Sequence, residues 1–147
     1  MVYTKEENYM LAALAEAKKA LEKQEVPVGA VVVCNDIIIA RAHNLTETLK
    51  DPTAHAEMQA ITAATNYLGG KYLTECTIFV TLEPCAMCAA ALGWSQIPRL
   101  IFGASDENKG FRTIPGNLLH PKTQVTSGIM ENDCREIVVK FFKTRRK

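Results

Sequence analysis

Four side chains in this sequence have the types and spacing to hold a metal and move a proton. They are His55 and Glu57 in His55-Ala56-Glu57, and Cys85 and Cys88 in Pro84-Cys85-Ala86-Met87-Cys88. Cysteines three apart on a helix point to one side, which suits a single tetrahedral zinc. His55 and Glu57, two apart, would lie nearly opposite each other in mid-helix, but in a first turn both can reach a metal off the helix end. One imidazole and two thiolates are three protein ligands. A zinc held by three keeps its fourth position for water, the pattern of a catalytic site, and makes hydroxide available near neutral pH. Glu57 is then the carboxylate that moves protons. Cys-x-x-Cys alone also occurs in closed zinc knuckles and redox motifs, but neither gives Glu57 a role.

The elements that must position these residues can be read from pattern. Thr4 and Glu7 have capping-box spacing, and Met10, Leu14, Ala17 and Leu21 repeat at helical intervals, which predicts an amphipathic helix over 5–23. Two β-branched runs at 28–34 and 37–41 flank Asn35-Asp36, a two-residue turn signal for a hairpin of largely buried strands. Asp51-Pro52-Thr53 should start a helix over 54–67 that stops at Gly69-Gly70. A buried strand at 77–82, a helix opened by Pro84 and running to about Ser95, and a strand at 100–104 make a crossover, so part of the sheet is parallel. Residues 105–123 carry glycine and proline breaks and read as a long surface loop. A short strand at 124–127 and a helix capped by Asn132, with Ile137, Val138, Phe141 and Phe142 on its apolar side, close the chain. Both metal motifs therefore fall at helix N-termini, where the dipole favours thiolates.

Composition bounds the rest. The 147 residues, 48% of them hydrophobic, fit one domain spanning 1–147. No apolar run approaches the ~20 residues of a membrane helix and the first residues have no signal-peptide character, so a cytoplasmic protein with no membrane partner is expected. Five cysteines with no export signal argue for reduced thiols. Cys34, Cys76 and Cys134 read as small apolar residues of strands and the last helix. His43 and His120 read as loop histidines, and Trp94 as core or dimer interface. A net charge of +1 gives no global pull on nucleic acid, which leaves the cluster Lys140, Lys143, Arg145, Arg146 and Lys147 as a local basic end.

His-x-Glu followed by Pro-Cys-x-x-Cys is the known signature of zinc-dependent nucleobase deaminases, a recognised pattern and not a deduction from spacing. Beyond it, Glu25-Val26-Pro27-Val28-Gly29-Ala30-Val31-Val32, His43-Asn44-Leu45, Pro52-Thr53-Ala54-His55-Ala56-Glu57 and Val80-Thr81-Leu82-Glu83-Pro84-Cys85-Ala86-Met87-Cys88-Ala89 resemble segments of the bacterial tRNA adenosine deaminases of the TadA type, within the cytidine/deoxycytidylate deaminase superfamily. The resemblance covers nearly the whole chain. It implies a three-layer α/β/α cytidine-deaminase-like fold with a mixed central sheet, one Zn2+ per subunit on His55, Cys85 and Cys88, and Glu57 as catalytic residue. It further implies a homodimer that converts adenosine to inosine at the wobble position of a tRNA anticodon loop. Asn44 would contact the target nucleoside and Asp106 the flanking ribose, while Phe141, Phe142, Arg145 and Arg146 would meet anticodon-loop nucleotides. The pattern departs after Asp106: residues 107–123 are shorter and different, which puts the substrate in question.

Two rivals therefore stay open. A deaminase of a free nucleobase or nucleoside, of guanine, cytosine or adenosine type, would share the motifs but gain nothing from a basic end. An inactive zinc-binding, RNA-binding subunit would have no chemical need for Glu57.

Overall fold

The computed structural model describes residues 2–145. Its elements run α1 (Lys5–Glu22), β1 (Gly29–Cys34), β2 (Ile37–His43), α2 (Ala56–Leu68), β3 (Cys76–Leu82), α3 (Ala86–Ser95), β4 (Arg99–Ala104), β5 (Gln124–Ser127) and α4 (Glu131–Arg145). The sheet order is β2-β1-β3-β4-β5. β1 pairs antiparallel with β2 and β3, while β3, β4 and β5 are parallel neighbours, so the sheet is mixed. Alternation along the strands divides the core in two. Ala30, Val32, Ile78, Val80, Leu100 and Phe102 face Ala56, Ala60 and Ala64 of α2 and Ala89 and Leu92 of α3. Val31, Val33, Phe79 and Ile101 face Met10, Ala13 and Leu14 of α1 and Cys134 of α4. The result is the expected three-layer α/β/α arrangement.

Local signals did most of this work. Thr4 and Glu7 form a reciprocal capping box. Asn35 and Asp36 take φ of 52° and 63°, the left-handed pair that a tight hairpin demands. Gly69, at φ 72°, ends α2. Departures trace to tertiary context. β1 is buried throughout, but β2 is a sheet edge with Ile37 and Arg41 exposed, so only one strand of the hairpin is largely buried. Leu21 is exposed at the end of the α1 stripe. Asp51 folds back onto Thr53, accepting from its N–H at 2.8 Å and its hydroxyl at 2.7 Å, and is a turn residue and not the α2 cap, which is His55. Pro84 lies one residue outside the α3 cap and Asn132 inside the first turn of α4. His43 belongs to β2, where its Nδ1 lies 2.9 Å from Glu16 of α1, so it is not a loop residue; His120 is. Trp94 is 83% exposed, which removes the core reading for it. Residues 105–123 are more ordered than a plain surface loop: they hold a 3-10 turn at Phe111–Thr113 and bury Leu119 in the α2/α3 core.

Candidate metal centre

His55 and Cys85 each occupy the N-cap position of a helix, α2 and α3, with extended backbone angles and no capping hydrogen bond from the side chain. A Ser or Asp at such a position would turn back onto its own helix. These two turn toward each other instead. Hydrogen bonds set where the helices begin: Leu45 N–H donates to the Ala54 carbonyl, tying the segment after β2 to the residue before His55. The β3 strand delivers Glu83-Pro84-Cys85 from the middle of the sheet. Cys88 follows on the same side of α3 and is fully buried.

The ligand atoms of His55, Cys85 and Cys88 all lie within 4.8 Å of one another. His55 Nδ1 is 3.7 Å from Cys85 Sγ and 3.4 Å from Cys88 Sγ. Tetrahedral zinc with ordinary bonds to nitrogen and sulfur requires an N···S separation of about 3.6 Å. The set therefore fits zinc in donor type and spacing. Among the described residues Cys34, Cys76 and Cys134 stand outside this cluster as buried free thiols, as expected, so no fourth sulfur closes the site.

The side chains bear on one another electrically. Hydrogen bonds from Cys88 and His55 hold the Cys85 thiol down at about 4. The hydrogen bond to Cys85, with burial, pushes Cys88 up. His55 is raised by its hydrogen bond to Cys85, against burial. Glu57, 4% exposed, is pushed up to about 7 by burial, opposed by its own backbone N–H and by His55. A divalent cation among them would favour the anionic form of every acid present. The arrangement sets one buried carboxyl near a three-ligand set, a combination that suits metal-assisted hydrolysis.

The remaining residues singled out from sequence fall at two rims. Asn44 is buried directly after β2, its Nδ2 donating to the Val26 carbonyl at 3.3 Å and its Oδ1 accepting from Thr46 N–H at 3.3 Å. Asp106 follows β4, its Oδ1 accepting from the N–H groups of Asn108 and Lys109 at 3.1 and 3.0 Å. At the end of α4, Phe141 is buried and Phe142 exposed, their rings edge to face. Arg145 donates to the Gln24 carbonyl at 2.9 Å and lies 4.8 Å over the Phe141 ring. Arg146 lies outside the described residues. Sequence reasoning missed two buried acids that hold these rims. Glu25, fully buried, accepts from Glu47 N–H and from the N–H and hydroxyl of Thr48 at 3.0, 2.6 and 2.7 Å. Glu83 does the same for residues 106–112. The sequence offered only a weak signal: each acid borders an apolar run, Glu25 before Val26 and Glu83 after Leu82.

Residues 3–104 match the family model of the cytidine and deoxycytidylate deaminase zinc-binding region. The tRNA-specific adenosine deaminase of Bacillus subtilis (strain 168) is 46% identical over 98% of this chain and 92% of its own length. A structure solved in work on A-to-I editing by tRNA:A34 deaminases at the wobble position of transfer RNA superposes with a TM-score of 0.82 at 42% identity, covering 88% of this chain and 98% of that one. The guanine deaminase structure from Bacillus subtilis gives a TM-score of 0.65 at 35% identity over 67% of this chain and 64% of that one. With its zinc-compatible site, three-layer fold and near full-length identity, the chain belongs to the cytidine and deoxycytidylate deaminase family and groups within it with the tRNA-specific adenosine deaminases.

Proposed function

We propose that this protein hydrolyses adenosine to inosine at the wobble position of a tRNA anticodon loop, with His55, Cys85 and Cys88 as zinc ligands and Glu57 as the catalytic acid–base. The observation that carries the chemistry is a buried carboxyl set beside three ligands spaced for tetrahedral zinc. The RNA substrate is supported by near full-length identity to relatives named for it. Zinc in such a site supplies water acidic enough to ionise near neutral pH. Glu57 takes up one water proton as the C6–O bond forms and passes it to ring N1; it then takes the remaining proton from the C6 hydroxyl, as that oxygen becomes the carbonyl, and delivers it to the amine as the C6–N bond breaks and ammonia leaves. Asn44 holds the nucleoside and Asp106 the flanking ribose, each on a loop fixed by a buried acid. The chain acts as one catalytic domain in a cytoplasmic homodimer. No helix among the described residues is long and apolar enough to cross a membrane.

The test is zinc-loaded protein with an anticodon stem-loop RNA bearing wobble adenosine, run beside free adenosine, adenine, guanine and cytosine, with nucleoside mass spectrometry as readout. Inosine formed only in the RNA is the expected result. A second reading, a free-base deaminase, rests on the likeness to guanine deaminase and on the distinct 107–123 segment; turnover of a free base with untouched RNA would establish it instead.

A further inference from the structure

Glu83 directly follows the apolar strand β3, yet its side chain is only 2% exposed, and it stands two residues before Cys85. Its Oε1 accepts from Asp106 N–H at 3.1 Å and from Arg112 Nη2 at 3.2 Å, and its Oε2 accepts from Arg112 N–H at 3.0 Å. The main chain closes around this acid. Glu83 N–H donates to the Ala104 carbonyl at 2.8 Å, Phe111 N–H to the Pro84 carbonyl at 2.8 Å, and Gly110 pairs with Cys85 in an isolated antiparallel bridge. Gly110 is glycine because a Cβ there would run into the Glu83 carboxylate. The Arg112 guanidinium also donates to Ser105 Oγ at 2.8 Å and lies 4.8 Å over the ring of Phe102. One cation is thus held by an acid, a hydroxyl and an aromatic face. Both ends of the 105–112 loop are fastened to the segment that carries the metal ligand.

We infer that Arg112, acting through Glu83, is a positioning residue that fixes residues 105–112, Asp106 among them, beside the metal ligand Cys85 and so sets how substrate is received. The inference rests on the RNA-deaminase reading above. Arg112 is not offered as a phosphate contact, because its Nη2 is paired with the Glu83 carboxylate, which offsets its charge, and the same nitrogen donates to Ser105 Oγ. Its work is orientation: a loop free to shift by a fraction of its present spacing would present Asp106 in many poses, and substrate binding would have to select one.

The experiment compares zinc-loaded wild type, Arg112→Met and Arg112→Lys on the anticodon stem-loop RNA, measuring zinc content, kcat, KM, the salt dependence of binding and amide exchange over 105–112. Arg112→Met keeps an unbranched side chain and removes the guanidinium, with both its side-chain hydrogen bonds and its place over the Phe102 ring. It should hold its zinc and keep kcat within about twofold while KM rises about tenfold, with an unchanged salt slope and faster exchange at the Asp106 N–H. Arg112→Lys, which keeps the positive charge opposite Glu83 but loses the planar guanidinium, should recover part of the KM. An unchanged KM in Arg112→Met would overturn the assignment. So would a KM increase accompanied by a shallower salt slope, which would make Arg112 a direct phosphate contact, or joint loss of zinc and kcat, which would make it merely structural. Failure of the wild type itself on RNA would instead strike the functional reading; the clamp would then stand or fall on amide exchange and on KM for the base that is turned over.

Discussion

The metal centre and the loops that rim it are built on opposite plans. His55, Glu57, Cys85 and Cys88 sit in the first turns of two helices packed on the same face of the sheet, and each is placed by the elements immediately around it. The rim segments 44–50 and 105–113 have no regular element of their own beyond a 3-10 turn, and each is gathered around one buried carboxylate from elsewhere in the chain, Glu25 or Glu83. Chemistry that must not vary is fixed by short-range geometry. On the proposed function, substrate reception falls to these loops, each of which closes on a single distant acid.

The sharpest way to break this comparison is at the metal. Cys88→Ser should lose zinc and activity together, because Cys88 is fully buried and a serine hydroxyl is a poor substitute for a thiolate on zinc. Metal analysis and turnover on one preparation check it; a fully metallated, active variant would remove Cys88 from the ligand set. Glu57→Gln should separate the two properties. It retains zinc and the fold but loses roughly 10²- to 10⁴-fold in kcat, the ordinary worth of a positioned acid–base group. Appreciable turnover in a zinc-loaded Glu57→Gln protein would end its assignment.

The rim should respond in stability before chemistry. Burial pushes the Glu25 carboxyl up, but hydrogen bonds from Thr48, from the Glu47 and Thr48 N–H groups and from Thr46 outweigh it and hold the group below its ordinary value of 4.5. Glu25→Gln sets an amide where three close donors expect an anion and should cost about 1–3 kcal/mol at neutral pH. The sign of the pH dependence follows from a folded value lower than the unfolded one. The contribution of Glu25 is present above 4.5 and is lost as pH falls through the lower folded value, so the melting temperatures of wild type and Glu25→Gln should converge as pH drops below 4.5. A gap independent of pH would mean that the carboxylate is not the anchor.

This division also explains what could be read without coordinates. The α1 capping box, the Asn35-Asp36 turn, the Gly69 stop and the spacing of Cys85 and Cys88 are local, and sequence reports local geometry directly. The candidate zinc set was legible for a different reason: its two motifs together form a recognised signature, although His55 lies thirty residues from Cys85. The burial of β2 was misjudged because edge or centre is a property of strand order, not of the strand. Glu25 and Glu83 stayed invisible for a related reason: their partners lie more than twenty residues away, at 47–48 and 106–112, and a single acid beside a β-branched run has no periodicity to betray it. Trp94 on α3 was read as core or dimer interface, and the core half of that reading fails because the buried side of the helix is taken by Cys88, Ala89 and Leu92.

The smallest expected effect is at Arg145. The basic end of α4 resembles an RNA-contacting helix, yet Arg145 already donates to the Gln24 carbonyl and stacks on Phe141, closing a cleft between α1 and α4. An exposed arginine spending one nitrogen on a carbonyl still has other donors for a phosphate. If it does both jobs, Arg145→Ala should weaken RNA binding by less than about threefold and reduce the salt slope by about 0.7, the share of one phosphate contact on a single strand. If it only pins α4 to the end of α1, the slope stays put and the melting temperature falls instead. Binding measured across a salt series, beside thermal unfolding of the same variant, separates the two, because a packing contact releases no counterions and a phosphate contact adds nothing to the stability of the free protein.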